Sequence, residues 1–392
     1  MKAHSPILSL LPGIAIMLLS CSPSQTAVGR DSAAGGTSPA APEASAAPEA
    51  PAAATAASQL FVAPDDPAVA YDGVWFPKVD AEKAVLLRHS DECIADPDCM
   101  PEWLKQYGIH NQHAGVVIRF RTDAPSAVAL VEESPVTPKD QRRYPFMQLG
   151  LYVDGVYMGQ KEPAERVLEG TGRTELPLGE AGTMRTVELA LPHQLAVVFR
   201  GLELPAGSRL EKAAPLDKPV YLAIGNSLSH GEGQLNASET FPWILAREKG
   251  WELVNLSIGG TTIEPKIVTM NVSPERRVDV ATVEWGYNDW WSQNFTLAES
   301  APRFAETLRA LRAAQPKAKI YVITPFATET VRGDASERDG EAKDGSTLAD
   351  WRAMMRHAVE AMRSEGDASV FCIEGDQVST VDDLDHRDGV HF

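Results

Sequence analysis

Four short stretches carry the residue types that could do chemistry; three follow apolar runs and the fourth is the last loop of the chain. Ser227 ends Tyr221-Leu-Ala-Ile-Gly-Asn-Ser227, and Gly260 ends Asn255-Leu-Ser-Ile-Gly-Gly260. Asn288 sits in Gly286-Tyr-Asn-Asp289, and His391 closes Asp388-Gly-Val-His391. Acyl transfer needs a nucleophile, a base to take its proton, a carboxylate to orient that base and donors for the oxyanion. Ser227 suits the nucleophile and His391 the base, with Asp388 three residues earlier placed to reach the second ring nitrogen. Gly260 offers a backbone N–H where a side chain would obstruct the substrate, and Asn288 adds a side-chain amide. Asp383-Leu-Asp-His386 is a second Asp-x-x-His just upstream, so Asp383 and His386 stand as the alternative pair.

Other candidates surround this set. His230 is close to Ser227 in sequence and lacks an obvious orienting carboxylate, so the expectation is packing or substrate binding. Trp285, Trp290 and Trp291 bracket Asn288. Aromatic rings beside a catalytic loop can stack on sugar faces, a role expected of Trp290, while Trp285 is expected in the core. Asp289 is expected to cap a turn or support the site. His110 and His113 have the spacing of a metal pair, but no Cys or carboxylate cluster completes a site, so a surface loop is expected and no metal.

The positioning elements follow from the pattern of apolar runs. From Lys218 onward, strands alternate with helical segments. Strands are expected at 220–224, 251–255, 278–285, 319–324 and 370–373, and helices at 241–249, 297–314 and 348–363, the last capped by Ser346. That alternation means a parallel sheet with helices on both sides, whose chemistry gathers at the carboxyl ends of the strands. Residues 60–215 instead show short strand-like runs with frequent turn signals, including the hairpin dipeptide Asp154-Gly155, which favours a β-sandwich. Residues 22–58 are Ala, Pro, Ser, Thr and Gly with scattered Glu, too poor in apolar surface to offset the entropy of ordering, and are expected to be a disordered tether. The charged stretch 328–344 is expected to be a solvated surface excursion, with a lid over the site as the alternative.

The 392 residues carry a formal net charge of −18 with no basic stripe, which argues against a nucleic-acid partner. Lys2 and the apolar run 7–19 form a targeting segment that is short for a membrane span. It ends in Leu18-Leu19-Ser20-Cys21, which resembles the lipobox of bacterial lipoproteins. That resemblance implies lipidation of Cys21 and an exported protein anchored in the bacterial cell envelope. Cys93 and Cys99 flank a turn-rich loop where a disulfide is expected in an oxidising compartment. Cys372, in an apolar run, is expected to be a buried thiol.

The blocks Gly225-Asn-Ser-Leu228, Ser257-Ile-Gly-Gly260, Gly286-Tyr-Asn-Asp289 and Asp388-Gly-Val-His391 resemble, in order, those of the SGNH or GDSL-type hydrolases, over residues 219–391. Asn226 stands where the family usually has aspartate, at a position with no catalytic role in its pattern. The resemblance implies a flavodoxin-like three-layer α/β/α domain, no cofactor, and an acyl-enzyme on Ser227. Its oxyanion would be held by the Ser227 and Gly260 N–H groups and by Asn288. The front domain is similar to the jelly-roll-like β-sandwich that precedes the catalytic domain in some members. Leu149-Gly-Leu-Tyr-Val-Asp-Gly155 is similar to that module's Gly-x-Asp-Leu-Tyr segment, without its aspartate. Such members mostly deacetylate carbohydrates. The expected organisation is a lipoprotein signal peptide at 1–21, a linker at 22–58, a β-sandwich at 59–215 and a catalytic domain at 216–392. The expected activity is hydrolysis of short acyl esters on a carbohydrate or other small ester. The alternatives are a catalytically inactive surface carbohydrate-binding lipoprotein and an acyltransferase on the same scaffold.

Overall fold

The computed structural model describes residues 59–134, 148–163, 170–292, 294–328, 343–379 and 390–391. The front half is built from β1 (Gln59–Val62), β2 (Ala70–Asp72), β3 (Phe76–Val79), β4 (Ala84–Leu87), β5 (Val117–Thr122), β6 (Ser126–Glu133), β7 (Leu149–Val153), β8 (Val156–Lys161), β9 (Thr171–Pro177), β10 (Arg185–Ala190), β11 (Val197–Pro205) and β12 (Leu210–Glu211). One sheet runs β3-β4-β11-β6-β9 with β1 added on β11, and the other runs β12-β5-β10-β7-β8 with β2 added on β5. β9 shows the reason for two faced sheets: its residues alternate strictly between exposed and buried. Phe120, Leu151 and Leu189 of one sheet meet Val131, Phe199 and Leu202 of the other in a shared buried cluster. The turn Asp154-Gly155, both residues at positive φ, closes the β7–β8 hairpin with Val153 opposite Val156.

The second half is a parallel sheet of β13 (Val220–Gly225), β14 (Glu252–Asn255), β15 (Val280–Glu284), β16 (Lys319–Ile323) and β17 (Val370–Ile373), in the order β14-β13-β15-β16-β17. Five of β13's six residues and all of β15 are buried, as strands covered on both faces require. Helices Phe241–Lys249, Leu297–Ala314 and Leu348–Ser364 pack against it. The cap of the last helix is Thr347, not Ser346. The Thr347 Oγ1 accepts from the Asp350 N–H at 3.3 Å while the Asp350 carboxylate accepts from the Thr347 N–H at 2.8 Å. Ser346 is occupied elsewhere, accepting from the Trp351 indole at 2.9 Å. Strand order reverses around β13, the position at which open α/β sheets bind ligands beyond the carboxyl ends of their strands.

The two halves do not pack as separate shells. Between β4 and β5 the front half sends out two short helices, Asp91–Ala95 and Glu102–Gln106, and the Cys93–Cys99 disulfide ties the first of them to the turn that leads to the second. Cys93, Cys99, Met100 and Leu104 belong to the same buried cluster as Leu256, Ile258 and Ile263 of the catalytic half. Lys266 ties the excursion down through Asp96 and Asp98, at 2.8 and 2.7 Å. Five-residue helices are too short to show a helical period, so the sequence left this segment unassigned. His110 and His113, expected on a surface loop, are both buried, and the His113 Nε2 lies 2.9 Å from the Val197 carbonyl. No helix among the described residues is long and apolar enough to cross a membrane.

Buried titratable groups give the fold a definite pH response. Burial holds His89 down to about 3 and His113 and His193 to about 4, with His230 also well below the usual imidazole range. Unfolded, these four take up protons below pH ~6.5; folded, they do not. Burial pushes the Glu284 and Asp289 carboxyls up to about 7, so they keep protons that the unfolded chain loses above pH ~4.5, an effect of opposite sign. Four histidines outweigh two carboxyls. Stability is therefore expected to hold above pH ~7 and to fall on acidification between pH ~6.5 and ~4.5, by up to about 2.7 kcal/mol per pH unit. Thermal denaturation from pH 7.5 to 5 checks this, and a melting temperature that rises toward pH 5 would contradict it.

Candidate active site

β13 stops at Gly225 because nothing larger fits there. A Cβ on Gly225 would lie 2.5 Å from the Glu284 carbonyl and 2.7 Å from the Ser229 hydroxyl. Asn226 then caps the one-turn helix Ser227–His230, its side-chain oxygen accepting from the Leu228 N–H at 3.2 Å. Ser227 is the first residue of that turn, where the backbone N–H has no partner within the helix. Its hydroxyl lies 2.8 Å from the His391 Nε2, across 164 residues of sequence. A serine and an imidazole within hydrogen-bond reach are the core of an activated nucleophile. Asp388, the alternative pair Asp383 and His386, and Cys21 all lie outside the described residues.

The loop after β14 brings Gly260 to the same rim. Gly260 is exposed and at φ +80°, a conformation that favours glycine. Asn288 comes from the helix Tyr287–Ser292 after β15 and is half-buried. One N–H of its amide donates to the Thr261 carbonyl at 2.9 Å, which fixes the group and leaves the second N–H for a ligand. The buried Asp289 supports this arrangement, as both its oxygens accept from the Ile263 N–H at 3.1 Å. Asn288→Ala is expected to lower kcat by about a hundredfold to a thousandfold, or ~3–4 kcal/mol of barrier, with a small change in KM. Steady-state kinetics on a chromogenic ester measures it.

Two expected substrate contacts are placed in the interior. Trp290 is 3% exposed and packs on Tyr287 at 5.7 Å between ring centroids, which leaves no face for a sugar. His230 is buried and its Nδ1 accepts from the Gly259 N–H at 3.3 Å, so it supports the Gly260 loop from beneath. Trp285 is in the core, as its sequence neighbourhood suggested. Cys372 is a free, half-buried thiol that burial pushes up to about 12.

Two residues of the site carried no sequence signal. Glu284, at the end of β15, is fully buried and accepts from the Ser229 hydroxyl at 3.0 Å, directly under the serine turn. Trp103, on the second helix of the disulfide-bonded excursion, is 42% exposed and points the edge of its six-membered ring at the loop glycine: a Cβ on Gly260 would sit 2.5 Å from its Cη2. Tyr107 meets Trp103 edge-on at 6.4 Å between centroids and is equally exposed. Among the described residues no three His, Cys, Asp or Glu side chains gather as metal ligands.

A serine–histidine pair and an amide donor at the carboxyl rim of a parallel sheet define a serine hydrolase of ester bonds. Residues 223–392 match the model of the GDSL-like Lipase/Acylhydrolase family. The chain is similar in structure to a salicylyl-acyltransferase, SsfX3, of a tetracycline biosynthetic pathway. That match has a TM-score of 0.68 and 23% identity, and covers 81% of this chain and 85% of the other. It is also similar to a protein of Bacteroides ovatus described as a GDSL-like lipase, with a TM-score of 0.65 and 19% identity over 85% and 92% of the two chains. A third likeness is to a family two carbohydrate esterase of Clostridium thermocellum in complex with cellohexaose, with a TM-score of 0.54 and 15% identity over 78% and 88%. These likenesses extend over both halves of the chain, the β-sandwich included. No curated protein sequence matches the chain.

Proposed function

We propose that the protein removes short acyl groups, acetyl foremost, from carbohydrate through a Ser227–His391–Asp388 triad. The observation that carries this is the 2.8 Å contact between the Ser227 hydroxyl and the His391 Nε2 at the rim shared by Gly260 and Asn288. Ser227 attacks the ester carbonyl as His391 takes its proton, and the Ser227 and Gly260 N–H groups with Asn288 hold the oxyanion. His391 then protonates the departing sugar oxygen, which leaves as the alcohol, and water activated by the same imidazole releases the acid and frees Ser227. Water and an acceptor hydroxyl compete for the same acyl-enzyme, so product analysis with added sugars separates hydrolysis from acyl transfer.

Trp103 supports a sugar on the alcohol side of the ester. A flat, exposed indole beside an oxyanion donor suits the apolar C–H face of a pyranose, and exposed tryptophan is uncommon without a partner. The test is a panel of acetylated oligosaccharides and p-nitrophenyl esters of rising chain length, on wild type and Trp103→Ala. Turnover should fall as the acyl chain lengthens. Trp103→Ala should raise KM about tenfold for the glycans, as loss of ~1.4 kcal/mol of stacking would, and leave KM for p-nitrophenyl acetate nearly unchanged. Equal losses on both substrate types would contradict the sugar contact, and a wild type inactive on every ester would contradict the proposal.

A further inference from the structure

Directly after β4, two consecutive side chains of the sandwich run beneath the loop that carries Gly260. Arg88 is 1% exposed, and its Nη1 donates to the carbonyls of Asn255 at 2.6 Å and Ser257 at 2.8 Å. The His89 Nε2 lies 3.0 Å from the carbonyl of Leu256 between them. The backbone N–H of Ser90 continues the row, donating to the Asn271 side chain at 2.7 Å. Three successive carbonyls of the catalytic half are thereby taken by residues of the front half.

The other edge of the same loop is tied to β13. The Leu256 N–H donates to the Ala223 carbonyl at 2.8 Å, and the Ile258 N–H to the Gly225 carbonyl at 3.1 Å. The Ser257 N–H is held by the Asn255 side chain at 2.9 Å. Each peptide group from 255 to 258 is thus anchored, whereas the Gly260 N–H has no acceptor among the described residues. Among those residues the partners of Arg88 are backbone carbonyls, including Gln112 at 2.6 Å from Nε. A buried guanidinium costs more to desolvate than an apolar side chain of the same volume, so mere filling of the seam does not account for a charge here. Its field also polarises the peptide groups it binds, in the sense that strengthens their N–H donors toward β13.

We propose that Arg88 is a positioning residue of the esterase. It sets the peptide planes 255–257 so that Gly260 presents its N–H to the oxyanion, with His89 completing the clamp. The front half is on this account part of the catalytic apparatus. The inference rests on reading Gly260 as an oxyanion donor.

The test compares full-length wild type, Arg88→Lys and Arg88→Met, assayed well below the melting temperature measured for each. The lysine variant keeps the buried charge but, with one nitrogen in place of the guanidinium, cannot bond the Gln112 carbonyl together with those of Asn255 and Ser257, so it serves if the methionine variant does not fold. Expected is a fall in kcat of tenfold or more with KM within twofold of wild type. Affinity for an alkyl boronic acid, which forms a tetrahedral adduct on the serine, should fall by the same factor. Folded variants with wild-type kcat, or a lower kcat with unchanged boronate affinity, would overturn the inference and leave the esterase reading intact. A wild type without esterase activity would take down both.

Discussion

Ser227→Ala is expected to lower kcat on p-nitrophenyl acetate by about ten-thousand-fold to a million-fold, to the residual level that oxyanion donors and binding alone support. The size of the effect follows from the residue's position. Ser227 is the hydroxyl within reach of His391, and the alanine side chain offers no nucleophile. The substitution should leave the fold intact, because the turn is capped by Asn226 and the strand end is set by Gly225. A melting temperature within a few degrees of wild type, measured beside the kinetics, separates lost chemistry from lost structure. Activity within tenfold of wild type would remove Ser227 from the mechanism.

His391→Ala is expected to cost nearly as much. The imidazole acts twice, as base for Ser227 and as acid for the departing alcohol, and each role contributes typically a hundredfold to ten-thousand-fold. Serine and histidine work as one unit, so the double variant Ser227→Ala, His391→Ala should be no slower than either single variant. The sequence offers a competitor in His386, and His386→Ala is expected to keep more than half of wild-type kcat. Loss of turnover in the His386 variant with retention in the His391 variant would reverse the assignment.

Much of the catalytic half was legible before any coordinates. β13, β16 and β17 fall within a residue of their expected spans, and the helices 241–249 and 297–314 have the expected ends. Each has an unbroken apolar run or a helical period long enough to read. Ser227, Gly260, Asn288 and His391 follow the strand ends or the last loop, and three of them lie where glycine or asparagine punctuates an apolar run. What the sequence did not carry was anything set by contact between distant residues. Trp103 and Gly260 are 157 residues apart, and no local pattern marks a tryptophan that one short helix lays against a loop in the other half. The same holds for Arg88 and for Glu284, which reads as an ordinary strand-end residue until its burial beneath the serine turn is known. Trp290 misled for the converse reason: its neighbourhood in sequence is catalytic, but its position on the helix turns it into the core.

The central claim is that one hydroxyl, on Ser227, becomes covalently acylated with His391 as its base. Fluorophosphonate labelling followed by intact-mass measurement and peptide mapping tests it most directly. The account predicts one adduct per chain, carried by the peptide containing Ser227 and lost or greatly slowed in His391→Ala. An adduct on another residue, or none on a folded wild type, would contradict it.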